Sequence, residues 1–93
     1  MTAKTKLPDR PEINDTVGWV YVKKKMGQAA AEYLELAVAQ DPTNPVYHYH
    51  LGMAWTGAGE YGRARRSLEK ALSLNPNFEG SAEARRALKN LLY

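Results

Sequence analysis

Apolar and small side chains recur along this chain at the i, i+3, i+4, i+7 spacing that marks one face of a helix. His48, Leu51, Gly52 and Trp55 form one such stripe, and Ala64, Leu68, Ala71 and Leu72 form the next. Earlier in the chain the same order of sizes appears as Asn14, Val17, Gly18 and Tyr21, followed by Ala30, Leu34, Ala37 and Val38. Glycine and alanine at fixed places let two helix backbones approach closely, and the aromatic residue at the end of each first stripe fills the space beyond them. Four helices are therefore expected, paired as two antiparallel hairpins.

The stripes are in phase at an interval of 34 residues. That offset superposes Pro11 on Pro45, Gly18 on Gly52, Ala30 on Ala64, Leu34 on Leu68, Glu35 on Glu69 and Ala37 on Ala71. It also places Asp41-Pro42 on Asn75-Pro76, and Val17, Tyr21 and Val38 on Leu51, Trp55 and Leu72. Small, large and turn residues recurring together are the signature of a repeat architecture. In the second unit Asn44 is placed to cap a helix that begins at Pro45, where the missing proline N–H costs nothing. That helix is expected to run to about Thr56. Gly57 and Gly59 are expected to supply left-handed backbone at its end, and Tyr61 to Leu74 forms the return helix before Asn75-Pro76 stops it.

These residues resemble the tetratricopeptide repeat. From Pro45 to Phe78 the resemblance rests on Leu51-Gly52, Ala54-Trp55, Gly59-Glu60-Tyr61, Ala64, Leu68, Ala71-Leu72 and Pro76. Pro11 to Asn44 is similar to a more degenerate copy, through Val17-Gly18, Val20-Tyr21, Ala30, Ala37 and Pro42. It departs at the turn, where Lys25, Met26 and Gly27 stand in place of the glycine, acidic or polar residue and tyrosine of the family pattern. A narrower resemblance, through Pro11 to Val20 and Asn75 to Gly80, is to bacterial tetratricopeptide proteins of exopolysaccharide and sorting systems.

The resemblance implies an all-α superhelical solenoid of two helix-turn-helix repeats, residues 11–44 and 45–78, closed by a capping helix within residues 79–93. Ser81 to Leu92 is the expected cap, with Leu88, Leu91 and Leu92 inward, because an array otherwise leaves the apolar flank of its last hairpin in water. Residues 1–10 are read as disordered or as the remnant of a preceding repeat, since Ala3 and Leu7-Pro8-Asp9 fall one interval before Ala37 and Asp41-Pro42.

Composition narrows the functional classes. The 93 residues allow one small domain, and 44% hydrophobic with 25% charged residues is a globular balance. The absence of cysteine excludes disulfides, thiolate metal sites and thiol nucleophiles. No apolar run approaches the roughly 20 residues of a membrane span, and the start of the chain lacks a signal-like stretch. The compartment is left open between the cytoplasm and, for a piece of an exported bacterial protein, the periplasm. A net charge of +3 is too mild to point to nucleic acid. Arg63, Arg65, Arg66, Arg85, Arg86 and Lys89 have no aromatic residues interleaved as a stacking surface requires, so nucleic acid is not expected as a partner. Lys23-Lys24-Lys25 closes a helix, where cations offset the dipole.

Candidate chemistry is sparse. His48 and His50, two apart on a helix, point about 200° from each other and cannot grip one metal together. His48 is expected half-buried and His50 in a groove or on the surface. Glu32, Glu35, Glu60 and Glu69 sit on helices where solvated ion pairing explains them. Gly57-Ala58-Gly59 lacks the strand and the Lys-Ser/Thr of a phosphate-binding loop. No active site, metal or cofactor is expected.

What the resemblance does imply is a concave groove lined by the first helix of each hairpin. Its positions correspond here to Asp15, Trp19, Val22 and Lys23, then Val46, Tyr49, His50 and Met53. Trp19, Tyr49 and Met53 are expected to form a partly exposed aromatic and thioether patch suited to a protein or peptide. The family's carboxylate clamp is not supplied, because Asp15 stands where the first lysine would be and Trp19 and His50 where asparagines would be. An alternative is that the uncovered first hairpin drives self-association as a homodimer, two repeats being fewer than the three that usually confer stability.

Overall fold

Proline opens both first helices, at the position where a missing N–H leaves no hydrogen bond unmade. The computed structural model describes residues 9–91, in which five α-helices follow one another: α1 Pro11–Lys23, α2 Gly27–Gln40, α3 Pro45–Gly57, α4 Tyr61–Leu74 and α5 Ser81–Leu91. The Asn44 side chain accepts the Val46 N–H at 3.0 Å and so caps α3. At the start of α1 there is no side-chain cap; instead the Asn14 amide donates to the Arg10 carbonyl at 3.3 Å and to Gln40 Oε1 at 3.0 Å. That buried asparagine ties the beginning of α1 to the end of α2.

Helices α1 and α2 form one hairpin and α3 and α4 a second, with α3 laid against both α1 and α2. The fold is the all-α, tetratricopeptide-type arrangement. Within each hairpin a glycine of the first helix meets a leucine of the second. A Cβ on Gly18 would stand 2.4 Å from Leu34 Cγ, and one on Gly52 2.7 Å from Leu68. Both leucines are fully buried. Ala30, Ala31, Leu51, Ala54, Trp55 and Ala64 complete a core around Leu34 at the seam between the hairpins. Around Leu68, Tyr49, Ala71, Phe78 and Ala84 form a second core that α5 helps to close.

The two hairpin turns share one hydrogen-bond pattern. In the second, the N–H groups of Ala58, Gly59 and Glu60 donate to Ala54, Thr56 and Trp55; in the first, those of Lys24, Lys25 and Met26 donate to Val20, Val22 and Tyr21. The departure of Lys25-Met26-Gly27 from the family pattern thus leaves the turn intact. Gly59 takes φ +80° and Lys25 takes φ +63°, so a lysine occupies left-handed backbone usually given to glycine. The expected role of Gly57 is corrected: it is the last residue of α3 and does not adopt positive φ, the turn being made by Ala58 and Gly59. Gly57 instead sits close to Gly27, and a Cβ on Gly27 would lie 2.5 Å from the Ala54 carbonyl oxygen. Gly27 therefore stands where the other copy has Tyr61 because the end of α3 crosses directly over it.

Helix α5 packs on α4 and touches α3. Gly80, at φ +104°, leads into it, and a side chain there would strike the Tyr49 ring. The Arg85 guanidinium donates to the Pro76 carbonyl, fastening α5 back to the end of α4. Leu88 and Leu91 pack inward as expected, while Leu92 lies outside the described residues, as do Ala3, Leu7 and Pro8.

Candidate binding groove

Helices α1 and α3 run side by side, and the residues expected to line a groove meet along their seam. His50 Nδ1–H donates to Asp15 Oδ1 at 2.6 Å, joining the two helices. The His50 ring stacks on Trp19 at 3.9 Å between centroids with 21° between planes. Over the same indole lies the Lys23 ammonium, 5.2 Å from the ring centre. One carboxylate, one imidazole, one indole and one ammonium thus form a continuous ladder across the face.

Tyr49 is a correction to the expected exposed patch. Its ring packs 5.8 Å from Phe78 and 5.9 Å from Trp19, and only 7% of its surface remains exposed. Burial raises the pKa of its hydroxyl, and the nearby Glu83 carboxylate adds to the effect. Tyr49 is thus the floor beneath Trp19, while Trp19, Val46 and Met53 lie partly buried above that core. Asp15 and His50 are half-buried too, and Lys23 is exposed. Val22 packs against the core between the hairpins.

Val22 and Met53 also line an open cleft of about 250 Å³ with Lys25, Gly27, Thr56 and Gly57, at the turn end of the α1–α3 seam. A second cleft, of about 490 Å³, is lined by Thr56, Tyr61, Asn90 and Leu91. Shifting Val22, Gly27, Thr56 and Gly57 by the repeat interval gives these four residues, so each cleft opens where the ends of successive helices diverge. The contributions of Lys25, Gly27, Thr56 and Phe78 were not among the expected groove residues. For Gly27 a signal existed, since a glycine facing Tyr61 across the interval marks a crowded site.

His48 is more enclosed than expected, 8% exposed, with Nε2–H donating to the Pro42 carbonyl at 2.8 Å. It ties α3 to the loop before it. Burial raises the pKa of neighbouring Tyr47, with Asp15, Glu12 and Asp41 acting in the same direction. Among the arginines, Arg63 lies over the Trp55 ring at 4.9 Å and so shields the core edge.

Stacked helical hairpins presenting a lined seam are the architecture of an interaction repeat. Residues 45–78, which span α3 and α4, match the model of the tetratricopeptide repeat. The chain is also similar to the tetratricopeptide repeat and J domain-containing co-chaperone DNJ1 of Fusarium oxysporum f. sp. lycopersici, at 36% identity over 52 residues. That match covers 56% of this chain and 10% of the relative, so the chain spans a small part of the relative's length. Among the described residues no helix is long and apolar enough to cross a membrane.

Proposed function

We propose that this chain is a non-catalytic protein-interaction module that takes a protein or peptide segment along the α1–α3 seam. Residues 11–44 act in this reading as a degenerate first repeat, 45–78 as the second, and α5 as the cap. The observation that carries it is the ladder of Asp15, His50, Trp19 and Lys23 beside the cleft of Val22 and Met53. An ordered aromatic surface left partly open beside an apolar cleft is suited to an anchor side chain. Lys23 and Lys25 at the cleft end favour an apolar anchor followed by acidic residues, which binds by apolar and aromatic contact rather than by a carboxylate clamp. Co-chaperone describes a relative of which this chain matches one tenth, and a chaperone-tail role is not part of the proposal.

The test is capture from the source cell with the intact chain and with Trp19→Ala, followed by titration of the captured segment. Loss of capture with unchanged helical circular dichroism supports the groove; equal capture by both chains refutes it.

A second reading, self-association through the first hairpin, is favoured by Ile13 and Val20, which lie 39% and 48% exposed on the outer side of α1.

A further inference from the structure

The outer face of α1 can be compared with its counterpart in the same molecule. One interval later, Ile13, Val17 and Val20 become Tyr47, Leu51 and Ala54. Those three residues are 9%, 7% and 0% exposed, on the helix that packs against α2. Ile13 and Val20 keep a third to a half of their surface in water. The stripe on α1 therefore has the shape and chemistry of a helix-packing face, and among the described residues no helix lies upon it.

Charge indicates what fits. Asp9 and Glu12 flank Arg10 at the beginning of α1, leaving that end net acidic, and Lys23, Lys24 and Lys25 stand at its other end. All six are exposed. A second α1 laid antiparallel sets Ile13 against the partner copy's end of the stripe and brings the acidic start of each helix to the basic end of the other. A parallel pairing would oppose like charges. Head-to-tail stacking would need the open flank of a return helix, and the flank of α4 is already covered by α5.

We propose that two copies of this chain pair through the Ile13, Val17 and Val20 face of α1, antiparallel about a two-fold axis, with Asp9 of each copy near Lys24 of the other. This deepens the self-association reading by fixing its geometry. A closed, isologous contact of this kind stops at two. One helix face buries less area than a permanent interface, so the dimer forms reversibly with concentration.

Sedimentation equilibrium of the full chain from micromolar to millimolar concentration tests it. The expected result is a monomer–dimer equilibrium with no larger species. Val20→Asp should abolish the dimer while helical content stays unchanged, the site being half exposed. Lys24→Glu should weaken association several-fold, and Lys24→Glu with Asp9→Lys should restore it, because the reversed pair again opposes unlike charges. A folded wild-type chain that stays monomeric throughout overturns both the geometry and the self-association reading. Open-ended polymers, a dimer indifferent to Val20→Asp, or a double reversal that fails to restore pairing overturn the geometry alone.

Discussion

Gly18 and Leu34 occupy one another's space: a Cβ on the glycine would stand 2.4 Å from the leucine Cγ, and the leucine is itself fully buried. Gly52 and Leu68 repeat the relationship one interval later. In each hairpin the spacing between helices is set by what the glycine lacks.

Gly18→Ala and Gly52→Ala should each destabilise the fold by about 1–3 kcal/mol, the usual cost of overpacking. Helix propensity favours alanine by about 1 kcal/mol, so steric crowding has to exceed that gain. Gly52→Ala should be the more damaging, since the Ala64 carbonyl oxygen stands 3.3 Å from the new methyl and backbone yields less than a side chain. Urea unfolding of both variants measures the order; a neutral or stabilising result contradicts the packing.

Lys25 holds left-handed backbone in a turn whose twin uses Gly59. Lys25→Gly should therefore stabilise the chain by about 0.5–1 kcal/mol, the relief of strain exceeding the added freedom of the unfolded state. Gly59→Ala should lose a comparable amount. Thermal melts of the two variants should shift in opposite directions.

Tyr49 supports the α1–α3 seam from below, and truncating it should cost about 3 kcal/mol through the cavity left between Trp19 and Phe78. Trp19→Ala, at a partly buried site above that floor, should cost less. Comparing the two by denaturant unfolding separates the floor of the seam from its surface.

Alkaline pH should weaken the fold through the same residue. The Tyr49 pKa is raised by burial, so the unfolded chain gives up this proton first. Its contribution is complete below about pH 10, the unfolded value, and is lost as pH rises toward the folded one. Tyr49→Phe should flatten the decline of unfolding free energy between pH 9 and 11. An unchanged slope would mean that other tyrosines dominate.

The hairpins were legible because their determinants are local or exactly periodic in register: Asn44 before Pro45, Gly18 opposite Leu34, Gly52 opposite Leu68. Asp15, Trp19 and His50 were placed on one face only through their correspondence to the groove positions that the resemblance implies. The burial of Tyr49 was not legible, because it is reached by Phe78, the last residue of the second repeat, and by Gly80 just beyond it, neither of which has a counterpart in the periodic stripes. Nor was the reason for Gly27, which depends on α3 crossing a hairpin to which α3 does not belong. Lys25 could keep the turn of Gly59 because the backbone bonds there outweigh the strain of one residue.

Helix α5 takes the seat that a next first helix would occupy, but it brings Arg85 and Arg86 to the positions of Leu51 and Gly52. A return helix laid on it as α4 lies on α3 would meet a guanidinium stem where nesting demands bare backbone. Two side chains thus oppose the close nesting that Gly52 allows in α3. Designing a return helix onto α5 would begin with Arg85→Leu and Arg86→Gly, which restore the residues that α3 carries at these two positions.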